Sequence, residues 1–334
     1  MKVGIVGVTG LVGEKLLELL ENTILPISEL RLIASEKSSG KLLKYKDQTL
    51  RVLPLSDKVF QNLDLVFFMA TQEISQEYAP RVAQNKCVVI DNSSCFRMEK
   101  DIPLVIPKVN FHVVKSSDYL IANPNCSTIQ LVICLNALSK VEKINRVDVS
   151  TYQAVSGYGK EAVEELETQI LNYRQKVPTK IFPCNILYNA IPQIDKFDLS
   201  TGYTKEELKV ILESQKILGQ KFEISCTAVR IPIPVGHSES VSITFANPVN
   251  IAKVKEVFQN EEEIIIMDDI ENNIYPYAEI AKDKKEVFVG RIRKDYYNDH
   301  ILHYFTVADN LVNGAASNAL QIAETCYREK TFGW

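Results

Sequence analysis

The chain has no C-x-x-C pair: its seven cysteines (Cys87, Cys95, Cys126, Cys134, Cys184, Cys226 and Cys326) are odd in number and scattered. That pattern argues against a disulfide framework and a structural zinc site, and no metal is expected. Apolar runs are short. LDLVFFMA, ending at Ala70, is among the longest, far below the roughly 20 residues needed to cross a bilayer. The opening MKVGIVGVTG passes straight into a strand pattern without an export signal, so a soluble, cytoplasmic protein is expected. With a net charge of -4 and interspersed signs there is no basic stripe, and neither nucleic acid nor membrane is an expected partner. Repeats and low-complexity tracts are also missing.

What remains is a globular chain of 334 residues with 46% hydrophobic and 24% charged residues, long enough for two cores. Residues 3–7 (VGIVG) form a strand. Gly7, Gly10 and Gly13 follow, and Leu16, Leu17, Leu19 and Leu20 then recur at helical spacing. Further buried strands are predicted over Leu30–Ala34, Leu63–Ala70 and Cys87–Asp91, with enough chain between them for crossovers, and YLIA leads into the turn at Asn123. This predicts an α/β fold with an N-terminal Rossmann-like parallel sheet. A helix starts at Ser127, and the domain boundary is placed here.

Beyond the boundary, VDVSTYQAV, CTAVRIPI, SVSITFA, EVFVGRI and LHYFTVA alternate or carry β-branched residues, and two helices intervene. An α+β domain on a mostly antiparallel sheet is predicted. NLVNGAASNALQIAETCYREK reads as one amphipathic helix returning to the first domain. The expected domains are residues 1–125 completed by 310–334, and residues 126–309.

The glycine triple between strand and helix suits a dinucleotide pyrophosphate, because backbone N–H groups and the helix N-terminus can approach it. At the end of the second strand, where a NAD enzyme carries an acidic residue, Ser35, Lys37 and Ser38 favour the 2′-phosphate of NADP, although Glu36 pulls the other way. Cys126 sits at a helix start, where the dipole favours a thiolate and free N–H groups can hold an oxyanion. Taken alone, a cysteine in such a chain is more often a core residue.

Six segments then appear in order: NPNCST (123–128), STYQAVSGYG (150–159), AIPQIDKF (190–197), RIPIPVGHSES (230–240), VFVGRIRKD (287–295) and DNLVNGAA (309–316). Together they resemble the successive motifs of bacterial aspartate-β-semialdehyde dehydrogenases through nearly the whole chain. The resemblance implies NADPH-dependent conversion of L-β-aspartyl phosphate to L-aspartate β-semialdehyde, a step toward lysine (through diaminopimelate), threonine and methionine. It also implies a catalytic and dimerisation domain, and a homodimer or dimer-based tetramer. On matching positions Cys126 is the nucleophile, Gln153 orients the acyl group and His237 is the acid/base. Arg230 clamps the α-carboxylate, Glu213 reads the amine, Arg97 and Lys216 bind phosphate, and Asn125 joins the substrate set. The implied cofactor set is Gly7, Thr9, Gly10, Leu11, Val12, Gly13, Ser35, Lys37, Ser38, Thr71, Gly157 and Asn310. The residue types suit these roles: a guanidinium grips a carboxylate bidentately, and histidine exchanges protons near neutrality. His112, His300 and His303 lie in no comparable motif and read as structural or surface groups.

The chain departs from the family after the third strand, where Met69-Ala70-Thr71-Gln72 replaces small residues and glycine. Thr71 could hydrogen-bond the nicotinamide ribose or phosphate, or narrow the site. Two rival readings are an N-acetyl-γ-glutamyl-phosphate reductase, whose substrate has no free amine for Glu213, and a catalytically inactive homologue. The joint presence of Cys126, Gln153, Arg230 and His237 argues against the second.

Overall fold

The computed structural model describes residues 1–175 and 177–333; Lys176 and Trp334, which fall within the expected domain ranges, lie outside the described residues. The chain divides into two compact units, Met1–Asn125 with Ala315–Trp334, and Cys126–Gly314.

The first unit is built on a seven-stranded sheet. Its chain order is β1 (Lys2–Val6), α1 (Leu11–Leu19), β2 (Glu29–Ala34), β3 (Leu42–Tyr45), β4 (Gln48–Pro54), β5 (Leu65–Phe68), α2 (Gln72–Gln84), β6 (Val88–Asp91), α3 (Pro107–Asn110) and β7 (Leu120–Ala122). In space the strands run β3-β4-β2-β1-β5-β6-β7. All neighbours are parallel except the β3–β4 hairpin, in which Tyr45 faces Gln48. β5 and β6 are buried at every position, as expected of a parallel sheet covered on both faces. Leu16 and Leu20 from the first helix and its extension, and Ala319, Ile322, Ala323 and Cys326 from the C-terminal helix Asn318–Arg328, pack with Ile5, Leu32, Phe67 and Ile90 into one core. The C-terminal helix thus completes this unit.

The segment from Asn310 to Lys330 is not the single helix the periodicity predicts. A wide π-type turn occupies Val312–Ser317 before the C-terminal helix begins. Asp309 Oδ1 accepts the N–H groups of Leu311 and Val312 at 2.8 and 3.0 Å, which fixes the entry to this turn. Gly314 passes so close to Cys126 that an added Cβ would lie 2.6 Å from the cysteine Cβ. Such turns mark places where regular winding yields to a local requirement.

In the second unit the order is α4 (Cys126–Ser139), β8 (Ile144–Gln153), α5 (Lys160–Leu171), α6 (Lys205–Leu218), β9 (Glu223–Arg230), β10 (His237–Phe245), α7 (Ile251–Gln259), β11 (Ile264–Ile266), α8 (Ala278–Ala281), β12 (Val287–Lys294) and β13 (Ile301–Ala308). The sheet runs β11-β12-β13-β10-β8-β9, antiparallel except for the β11–β12 and β8–β9 pairs. α4 is buried nearly all round, which its largely apolar and uncharged sequence permits. Among the described residues no helix is long and apolar enough to cross a membrane.

Candidate active site

Three strand ends deliver the reactive side chains of the second unit. Gln153 closes β8 and stands opposite Arg230, which closes β9; His237 opens the adjoining β10. All three are at most 2% exposed. Cys126 is the first residue of α4 and half-buried, so its sulfur lies at the positive end of the helix dipole. Burial pushes the thiols of Cys87 and Cys326 up to about 12 and also raises those of Cys134 and Cys226, which leaves those four as core residues.

His237 is held through Nδ1, which accepts the Ala154 N–H at 3.1 Å. In the neutral ring the proton therefore resides on Nε2, and this nitrogen makes no hydrogen bond among the described residues. Burial first, and the Arg230 charge second, push the ring's pKa down to about 3, against a smaller opposing pull from Glu206. The imidazole is neutral at physiological pH and offers an N–H.

Arg230 donates through Nη1 to Ala154 O and lies 5.1 Å from the Tyr158 ring centroid, while its Nε makes no hydrogen bond among the described residues. Its remaining donors form a fork of the kind that grips a carboxylate. Burial lowers its pKa, and Glu206, then Cys126, then Tyr158 oppose that shift. The Cys126 sulfur is thus within the guanidinium's field.

Gly157 belongs to the short turn Val155–Tyr158 beside these groups. A Cβ there would meet Arg230 Nη1 at 2.9 Å and His237 Nε2 at 3.6 Å. Asn310 is engaged on both sides of its amide: Nδ2 donates to Ser156 Oγ at 3.0 Å, and Oδ1 accepts the Gly236 N–H at 2.9 Å. The side chain ties that turn to the residue preceding His237. Glu213 is 1% exposed on α6, and Lys216 is half-buried one turn later. The structure adds Glu206, which the sequence reading missed: a carboxylate in the first turn of α6 that accepts from Gln153 Nε2 at 3.3 Å.

In the first unit Arg97 is 7% exposed, and its Nη2 donates to Asn92 O at 2.7 Å. Nearby, Asp91 accepts from Ser75 at 2.5 Å and from Ser93 at 2.6 Å. Asn125 is buried, and Asn123 of the same motif accepts from Asn318 on the C-terminal helix at 2.7 Å. His303 pairs with Asp295 at 2.9 Å, and His300 and His112 lie at or near the surface.

The glycine turn fits a dinucleotide. Gly7 has φ +81°, and a Cβ there would meet Met69 O at 2.1 Å, so only glycine lets the chain turn this tightly from β1. Gly10 at the N-cap leaves the first N–H groups of α1 without a side-chain cap. Thr9 Oγ1 donates to Ser38 Oγ at 3.4 Å, linking the turn to the loop that carries exposed Ser35 and Lys37. Thr71 is exposed at the α2 N-cap.

A Rossmann-like α/β unit, together with a unit that sets a helix-start cysteine in the field of a buried arginine beside a buried histidine, is the architecture of a dinucleotide-dependent oxidoreductase. Two family profiles match: semialdehyde dehydrogenase, NAD binding domain, over residues 2–117, and semialdehyde dehydrogenase, dimerisation domain, over residues 135–313. The aspartate-semialdehyde dehydrogenase of Aquifex aeolicus is 44% identical over 335 residues, covering 98% of each chain. That of Campylobacter jejuni is 42% identical over 331 residues, 97% of this chain and 96% of the other. A crystal structure of aspartate semialdehyde dehydrogenase II from Vibrio cholerae superposes with TM-score 0.93 at 38% identity, covering 98% of both chains, and a second structure of that protein is complexed with ASA. The chain belongs to the aspartate-semialdehyde dehydrogenase family.

Proposed function

We propose that this site converts L-β-aspartyl phosphate to L-aspartate β-semialdehyde through a thioester on Cys126. The reading rests on one observation: the sulfur at the start of α4 acts on the buried Arg230 guanidinium, beside a histidine that presents Nε2–H. The helix dipole and the guanidinium both favour the thiolate. As the sulfur bonds to the acyl carbon, the C–O bond to phosphate breaks and inorganic phosphate leaves with the electron pair. His237 Nε2–H donates to the oxygen on which negative charge develops, and the thiolate departs when the aldehyde carbonyl forms. Arg230 holds the α-carboxylate, Glu213 the ammonium, and Gln153 the acyl group. Arg97 and Lys216 take the phosphate, with Asn125 completing the substrate set.

NADPH, when bound, supplies the hydride. Gly7, Thr9, Gly10, Leu11, Val12 and Gly13 would hold its pyrophosphate, and Ser35, Lys37 and Ser38 its 2′-phosphate. Thr71, Gly157 and Asn310 complete the set, with Asn310 contributing only what its contacts to Ser156 and Gly236 leave free. The acylated-glutamate alternative is not favoured: the relatives named above are aspartate-semialdehyde dehydrogenases, and Glu213 answers a free amine. The working unit is a cytoplasmic homodimer. The dimerisation-domain match supports it, as does the outer face of the six-stranded sheet, where the rings of Tyr152 and Phe305 lie 6.4 Å apart, tilted by 31°, and remain half-exposed.

Mass spectrometry tests the thioester. Mixing the enzyme with the semialdehyde and NADP, without phosphate, should leave an acyl adduct on Cys126. Cys126→Ser should form none yet still bind NADPH. An adduct on Cys95 or Cys134, with activity retained in the serine variant, would contradict the assignment.

A further inference from the structure

We propose that Tyr158 is a positioning residue of the carboxylate subsite: the Arg230 guanidinium sits over its ring, and this contact fixes the direction in which the fork meets the substrate. The inference rests on the role given above to Arg230 and deepens it.

Arg230 is buried, so its charge has given up nearly all of its water, and what replaces that water decides where the head group points. One tether is plain: Nη1 donates to Ala154 O, while Nε makes no hydrogen bond among the described residues. A single tether is a pivot about which the guanidinium can swing. The second constraint is Tyr158, whose ring centroid lies 5.1 Å from Cζ. An aromatic face attracts a desolvated guanidinium through its quadrupole, and arginine packs well against such faces. Gly157 makes room for the contact, since a Cβ there would meet Nη1 at 2.9 Å. Tether and ring together orient the remaining donors of the fork toward a carboxylate.

The ring is itself held. Its turn is pinned by Val155 N–H and Ser156 N–H, which donate to Ile233 O at 2.9 Å and Pro234 O at 3.2 Å. Phe182 meets the Tyr158 ring in an edge-to-face arrangement, with centroids 6.0 Å apart and planes at 70°. Phe182 belongs to the same buried cluster as Val155 and Ile191. Ile191 in turn exchanges both backbone hydrogen bonds with Arg230, at 2.8 and 2.9 Å. The segment that supports the ring therefore also holds the backbone of the arginine, and the circuit from Tyr158 through Phe182 and Ile191 to Arg230 closes on itself. Every link at Tyr158 uses the ring and none uses the hydroxyl.

The test compares L-aspartate β-semialdehyde with 3-aminopropanal, which keeps the aldehyde and the ammonium but lacks the α-carboxylate, in the full-length enzyme with NADP and phosphate. Tyr158 is 48% exposed, so its truncation opens no cavity in the core. Tyr158→Ala removes the ring, and Tyr158→Leu keeps bulk without a π face. Both should raise KM for the semialdehyde about fivefold, the size of one cation–π contact, with kcat within about twofold of wild type. Tyr158→Phe keeps the face and should return KM to within about twofold, and kcat/KM for 3-aminopropanal should move by less than about twofold in all three variants. A Phe variant as impaired as the Ala variant would assign the effect to the hydroxyl, and a Leu variant with normal KM would assign it to bulk; either overturns the proposal. So do equal losses on both aldehydes, or a KM that none of the variants changes. Wild-type enzyme that turns over both aldehydes with equal kcat/KM would instead refute the role given to Arg230, and with it the proposal.

Discussion

His237 holds its ring by accepting a backbone N–H at Nδ1, and that bond decides what Nε2 can do. The neutral ring offers an N–H at Nε2 and leaves no nitrogen free to accept a thiol proton. With its pKa pushed down to about 3, His237 stays neutral from pH 5 to 8, so the pH profile of kcat/KM over that range should carry no ionisation that disappears in His237→Gln. A limb near pH 6.5 in the wild type, lost in the variant, would refute this. The sign for stability follows from the same shift. The unfolded histidine binds a proton below about 6.5, which the folded ring refuses, so this contribution is full above pH 6.5 and is lost as pH falls toward 3.

At the scale of elements, α4 and the sheet enclose a carboxyl that the reaction does not use. Glu239 on β10 is fully buried; burial pushes its pKa up to about 8, and Gln130 of α4 pulls weakly downward without a well-directed hydrogen bond. Cys134, Cys226 and Tyr304 face it, and their own ionisations are raised in turn. Here the folded state retains a proton that the unfolded chain releases near pH 4.5. Stability is therefore lost as pH rises from there to about 8. Glu239→Gln should raise Tm relative to wild type above pH 7, with the gap closing toward pH 4.5, in thermal melts across that range. A gap that is constant or reversed would contradict the assignment.

The same scale shows what the sequence made legible. The strands that became β1, β2, β5 and β6 are apolar runs with both faces covered, and such runs announce themselves. β3 and β4 did not, because LLKY and QTLRVLP form an edge hairpin with half its side chains in water, Leu42 among them. The motif residues Gln153, Arg230 and His237 were found as short signatures. Their convergence at three strand ends is a matter of register that no single segment encodes. Glu206 was hidden among the similar acids of KEELKVILESQK. The usable signal was the cap at Thr204 and Glu207, which sets the helix start and places Glu206 and Glu213 two turns apart on one face. The expected helix from Asn310 failed because periodicity does not record that Gly314 must pass against Cys126.

At the scale of the whole molecule, the first unit carries the residues on which the choice of cofactor is predicted, and the second carries the cysteine on which the need for phosphate is predicted. Ser35, Lys37 and Ser38 surround the end of β2 with hydroxyls and a cation, and kcat/KM should favour NADP over NAD; a ratio near one would assign ribose reading to Glu36. The central claim, a thioester on Cys126 that phosphate resolves, is tested most directly by following NADP reduction by L-aspartate β-semialdehyde in the absence and presence of phosphate. A thioester on Cys126 should give a burst of about one NADPH per site without phosphate, steady turnover once phosphate is added, and neither in Cys126→Ser. Steady turnover without phosphate, or a burst that survives in Cys126→Ser, would contradict it.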